Sequence, residues 1–254
     1  MFFHISKRLI FLWTIVASIV LCASAVSAIT VDELYGNFAQ RRSGVCVIYA
    51  HVMVMAEYDP DAFAKLVTPT FGGWIVRFND NRRMYITREE VEKSIANGYS
   101  HGEVDNILTI YCIALTHRTG SFKKDTGELT YGSLDFVKFL GTGRWTLYDN
   151  NQTEPNRTLA DGLKRLIRET LPDGRTRVPC TIGFGGLDKK SIPEAYAEEA
   201  SKRKLIGGHD FSVSKCDVEK RLVYLRNPHN PKELLEVPID FLAKIPCGID
   251  FMEK

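Results

Sequence analysis

The chain has 254 residues, with 33 Lys and Arg against 31 Asp and Glu and a formal net charge of +2. At 44% hydrophobic and 25% charged, it has the balance of a folded protein with enough chain for one two-lobed domain and a sizeable core. Nothing in that even charge suggests an electrostatic partner such as nucleic acid or a membrane surface, and neither is expected.

The first 28 residues carry the pattern of a secretory signal. Lys7 and Arg8 are followed by the apolar run Leu9–Leu21 and by Val26-Ser27-Ala28, a small-residue cleavage site. Cleavage after Ala28 would remove those two cations and leave acidic and basic side chains equal in number. The expectation is a secreted or periplasmic protein with no stable membrane contact after processing. Ile29–Ala39 is a short amphipathic lead-in, and Gln40–Gly44 is polar and reads as a tight loop.

From Val45 to Ala56 only Cys46 and His51 interrupt an apolar or aromatic run. Glu57-Tyr58-Asp59-Pro60 ends it, because proline cannot continue a helix and restricts the residue before it. A run that is apolar all round predicts a buried helix. Cys46 would sit at its mouth, where free backbone N–H groups and the helix dipole favour a thiolate. A cysteine in such a run is more often a small buried hydrophobe, and His51 reads as a satisfied core histidine.

Phe71–Ile86 predicts strands joined by a turn at Asn79-Asp80-Asn81. Thr87 and Glu90 form a capping box for a helix to about Ala96. Asp105–Leu115 has helical spacing, Leu134–Leu140 is a short helix, and His101 and His117 fall in polar stretches and read as solvated. Asp149–Thr158 is the most polar loop and carries two acceptor sequons, at Asn151 and Asn156. Leu159–Leu171 is an amphipathic helix stopped by Pro172-Asp173-Gly174. Strands follow over Val178–Phe184, Gly208–Val213, Arg221–Arg226 and Glu233–Val237. The predicted fold class is α+β: a leader (1–28), a helical lobe (29–148), a polar linker (149–158) and a β-rich lobe (159–254).

Cys46, Cys112, Cys180, Cys216 and Cys247 follow the leader. In an oxidising compartment an odd number leaves one thiol free. If that thiol is Cys46, the other four form two bridges in any of three pairings. No Cys-x-x-Cys or His-x-x-x-His spacing occurs, so no metal or other cofactor is expected.

Three features outside the Cys46 run complete a chemistry. Gly207-Gly208-His209-Asp210 places a histidine at the start of a strand, after glycines that let backbone approach a substrate. A second strand runs into Asn227, and Gln40 lies six residues before Cys46. A cysteine nucleophile needs a base, a group that orients the base, and a donor for the developing oxyanion. His209, Asn227 and Gln40 supply these in turn. Asp210 should point away from His209 if the strand alternates, which leaves Asn227 as the orienting group.

Here the chain resembles the papain-like cysteine peptidases and, within them, the calpain catalytic core. Gln40 and Cys46 match the family's glutamine and nucleophile at the same spacing. Gly208-His209-Asp210-Phe211-Ser212-Val213 is similar to the calpain Gly-His-Ala-Tyr-Ser-Val, and Arg226-Asn227-Pro228 to its Arg-Asn-Pro-Trp. Val45 and Val47 replace an Asp and a Trp beside the cysteine, and His229 stands where the family has a tryptophan that shields the His–Asn bond. No calcium site is matched. The resemblance implies a two-lobed fold with a cleft between the lobes, and hydrolysis of protein or peptide substrates through a thioester. The same triad would serve a deamidase or acyltransferase, and a degenerate scaffold that only binds is a third possibility.

Overall fold

A computed structural model describes residues 30–253 apart from 42–43, 131–133 and 152–155. The expected leader lies outside the described residues, as do Gln152 and Thr153 of the first sequon. Among the described residues no helix is long and apolar enough to cross a membrane.

The fold is α+β. In chain order the strands are β1 (Ala39–Gln40), β2 (Val67–Thr70), β3 (Gly73–Arg77), β4 (Arg83–Thr87), β5 (Ser100–His101), β6 (Phe122–Lys123), β7 (Glu128–Leu129), β8 (Trp145–Tyr148), β9 (Cys180–Phe184), β10 (His209–Asp217), β11 (Leu222–Asn227), β12 (Asn230–Pro238) and β13 (Cys247–Met252). Buried apolar side chains form one cluster drawn from Leu34 to Leu140 and a second drawn from Leu159 to Phe251.

The helix Cys46–Tyr58 connects the two clusters. It packs on the helix Ile107–Arg118 within the first and also lies across β10 and β9 of the second. This double contact is why it lacks a polar face: every residue from Ile48 to Val54 is buried. Each large apolar side chain so buried contributes about 1.5–3 kcal/mol. Its end is sharp because Asp59 already caps the next helix, Pro60–Ala64, accepting from the Ala62 N–H at 3.0 Å.

Around this helix several sequence expectations hold. Asn81 adopts a left-handed φ of 62° in the β3–β4 turn. Thr87 and Glu90 form both bonds of the capping box that opens Arg88–Ala96. His117 differs from expectation: the helix runs on to Arg118, and His117 sits half-buried within it, 3.2 Å from Glu90 and packed on Phe122.

The second cluster is built on a six-stranded antiparallel sheet in the order β12-β11-β10-β9-β13-β8. Its edge strand β8 precedes the polar loop 149–158, so the sheet begins before the expected linker. The four cysteines expected to bridge are free and buried. Cys112 belongs to the first cluster and the other three to the second. Cys180 pairs with Phe251 and Cys247 with Phe184, at opposite ends of one ladder. That separates them by about 13 Å along the strands, whereas a bridge needs Cα atoms within about 7 Å. These cysteines fill core space instead.

Candidate active site

His209 opens β10 and Asn227 closes β11, and the two side chains meet at that corner of the sheet. The His209 Nε2 to Asn227 Oδ1 distance is 2.9 Å. The same Oδ1 accepts the backbone N–H of His229, also at 2.9 Å. A backbone N–H can only donate, so the amide must present its oxygen there, which fixes its orientation. His209 Nε2 must then carry the hydrogen, and Nδ1 remains as the basic nitrogen.

The His229 ring lies flat on His209, with centroids 4.8 Å apart and planes 7° from parallel. Phe211 meets His209 edge-on at 5.0 Å. His229 Nδ1–H donates to the Gln40 carbonyl at 3.0 Å, and the Gln40 N–H donates to the Pro228 carbonyl at 2.8 Å. Gln40, buried in β1, is thereby held by its backbone at the His209–Asn227 corner. The His229 ring covers one face of the His209 imidazole. Burial pulls His209 down to about 4; the Asn227 bond opposes this and the His229 ring reinforces it.

Cys46 is the half-buried first residue of its helix. It meets β10 at Asp210, one residue along from His209, and its thiol donates to Asp210 Oδ2 at 3.7 Å. Strand alternation turns Asp210 away from His209, as the sequence predicts, and towards the Cys46 thiol. The expected low thiol pKa is not found. Burial pushes the Cys46 thiol up and the Asp210 charge adds to this, against backbone N–H groups of Asp210 and Val47 that favour the thiolate. Burial likewise raises Asp210.

Gly183 faces Asp210 across the β9–β10 ladder. A Cβ on Gly183 would stand 2.4 Å from Asp210 Oδ1, so the carboxylate occupies space that any side chain on Gly183 would fill. His51 is the satisfied core histidine expected of it. Its Nδ1 bonds the Val47 carbonyl at 2.7 Å and its Nε2 lies 3.1 Å from Asp250 Oδ2 on β13. Cys46, His51, Asp210, Asp250 and Trp145 line one cleft of about 940 Å³.

Gly207 and Gly208 do not line that cleft. Gly208 has a φ of 66° and donates to the Phe184 carbonyl, and a Cβ on Gly207 would meet Leu187 N at 2.8 Å. Their place is in the turn that delivers His209. Sequence reasoning missed Asp210 as the neighbour of the Cys46 thiol, together with Asp250 and Gly183. Among the described residues no group of three or more His, Cys, Asp or Glu could hold a metal ion.

No family model matches the chain, and no curated protein is significantly similar to it.

One further feature ties the site together. Glu57, at the far end of the Cys46 helix, accepts from Arg226 Nε at 2.8 Å and from Ser214 Oγ at 2.7 Å. Arg226 precedes Asn227, and Ser214 lies on β10 with His209. The pair is about nine-tenths buried, with side chains 11% and 10% exposed, so one ionic contact fixes the helix carrying Cys46 against both strands carrying the other residues. His209, Asn227 and the Gln40 backbone meet at one corner of the sheet, whereas the Cys46 thiol meets Asp210: among the described contacts none joins Cys46 to His209, and His209, Asn227 and Gln40 do not line the cleft beside the thiol.

Proposed function

We propose that this protein is a cysteine endopeptidase of papain-like, two-lobed architecture, closest to the calpain catalytic core in its motifs, that hydrolyses peptide bonds through Cys46, His209 and Asn227. The observation that carries this reading is the His209 Nε2–Asn227 Oδ1 bond of 2.9 Å, with an orientation that leaves Nδ1 basic. The two separate core clusters support two lobes, and the leader-like segment supports action outside the cytoplasm.

With thiol and imidazole both neutral at rest, His209 acts as a general base. The Cys46 thiol, which at rest donates to Asp210, turns to His209 in the reactive state, and Nδ1 takes its proton as Sγ attacks the scissile carbonyl. The Gln40 side-chain amide and the Cys46 backbone N–H stabilise the oxyanion. His209 returns the proton to the departing amine, leaving a thioester. Water, deprotonated by His209, attacks that thioester, and the carboxylate product leaves with Cys46 restored as a thiol. No cofactor enters the reaction.

The test is cleavage of a peptide library by wild type and by Cys46→Ala, with products identified by mass. Cleavage by wild type alone supports the reading. Conversion of glutamine to glutamate, or transfer of an acyl group to an amine without chain cleavage, would replace it with deamidation or acyl transfer. Binding without any turnover would leave a non-enzymatic scaffold.

A further inference from the structure

Among the described hydrogen bonds, the one donor to the Asp210 carboxylate is the Cys46 thiol. A thiol is a weak donor, so a half-buried carboxylate is left poorly satisfied at the wall of the cleft. The other titratable groups facing it are His51 from the Cys46 helix and Asp250 from β13, and both line the same cleft. Gly183 keeps the space for the carboxylate open from the β9 side.

The position has a chemical consequence. A thiolate formed at Cys46 would lie against an existing negative charge at about van der Waals distance, and like charges so close disfavour ionisation. A cation seated on Asp210 would cancel that charge and satisfy the carboxylate in one step. Such a group would lie in the cleft directly beside the atom that attacks the substrate.

We propose that Asp210 makes the reactivity of Cys46 conditional on a cationic substrate group, the ammonium of a lysine or the guanidinium of an arginine flanking the scissile bond. In its absence the Asp210 charge adds to burial in keeping the thiol protonated. The inference rests on Cys46 being the nucleophile and adds a substrate class to that reading.

Two methanethiosulfonates test it without any peptide turnover, one carrying a trimethylammonium group and the other a sulfonate. In each case the Cys46 sulfur attacks the sulfenyl sulfur, a disulfide forms and methanesulfinate departs. Rates are measured on wild type and Asp210→Asn, each normalised to the rate with 2-mercaptoethanol. The cationic reagent should modify wild-type Cys46 roughly tenfold faster or more, at the low end of the effect of a charged cleft on small ions. In Asp210→Asn the ratio should fall towards one, while a neutral haloacetamide reacts faster than with wild type. Equal normalised rates on wild type, or a preference that survives Asp210→Asn, would overturn the inference and leave the peptidase reading standing. A Cys46 that reacts with none of these reagents would remove the nucleophile and the inference together. Should Asp210→Asn not fold, Asp250→Asn takes its place: a cationic preference that persists in it assigns the effect to Asp210, and one that vanishes overturns the inference.

Discussion

His209 and Asp210 are consecutive on β10 and face opposite ways, so one pairs with Asn227 and the other with the Cys46 thiol. In the proposed reaction His209, turned to Asn227, is the base, while Asp210, turned to the cleft, opposes the thiolate. With the thiol raised above its ordinary 9.0 by burial, the thiolate fraction at neutral pH is small and grows as pH rises through the alkaline range. The rate of haloacetamide alkylation of Cys46 should therefore climb steadily beyond pH 9. A plateau across about pH 4–8, as a preformed thiolate–imidazolium pair gives, would contradict the neutral resting state. Gln40 allows a cleaner separation. Its contacts to Pro228 and His229 are made by backbone atoms, so Gln40→Ala should keep them. Turnover should then fall roughly 10²–10³-fold, the usual effect of losing one oxyanion donor, with alkylation near wild type. Parallel slowing of both rates would make Gln40 a support for its loop.

At the scale of elements, what was legible in the sequence followed from local rules. The Cys46 helix, the Thr87 capping box and the turn at Asn81 each depend on residues within a few positions of one another, and each was readable. The helix Glu194–Lys202 was not, because it buries chiefly Ala197 and Ala200 and has no stripe of large apolar residues to set a period. Strands β8 and β13 are short and are defined by pairing with each other across a hundred residues of chain. The meeting of His209, Asn227 and Gln40 at one corner was legible as ordered motifs, whereas the Asp210–Cys46 contact depends on how the helix crosses the sheet. Gly183 belongs to the same class, since its need arises from the opposite strand. Gly183→Ala should destabilise by about 1–3 kcal/mol, the usual result of overfilling a packed site. In an Asp210→Ala background the same change should become neutral or stabilising, because alanine is the better strand residue once space exists. Urea titrations of the four proteins measure this, and an unchanged cost in the double variant would dissociate Gly183 from the carboxylate.

For the whole molecule, the Glu57–Arg226 contact bears on how the two core clusters are held together. Both partners are about nine-tenths buried. Removing one should leave an uncompensated charge and cost about 3–5 kcal/mol, whereas Glu57→Gln combined with Arg226→Met should cost much less than the sum. Denaturant midpoints on the single and double variants check this; additive costs would mean that the two side chains act independently. The order of strands has a different consequence, in the time it takes to make the chain. β9 is complete at Phe184 and β8 at Tyr148, yet the strand seated between them is Cys247–Met252. During synthesis at about 5–20 residues per second, both strands wait several seconds with open edges. Asp250 arrives with the missing strand, so His51 and its wall of the cleft acquire their partner last. A nascent chain short of Cys247 therefore carries Cys46 in an unfinished cleft and exposes two strand edges that other chains can pair with.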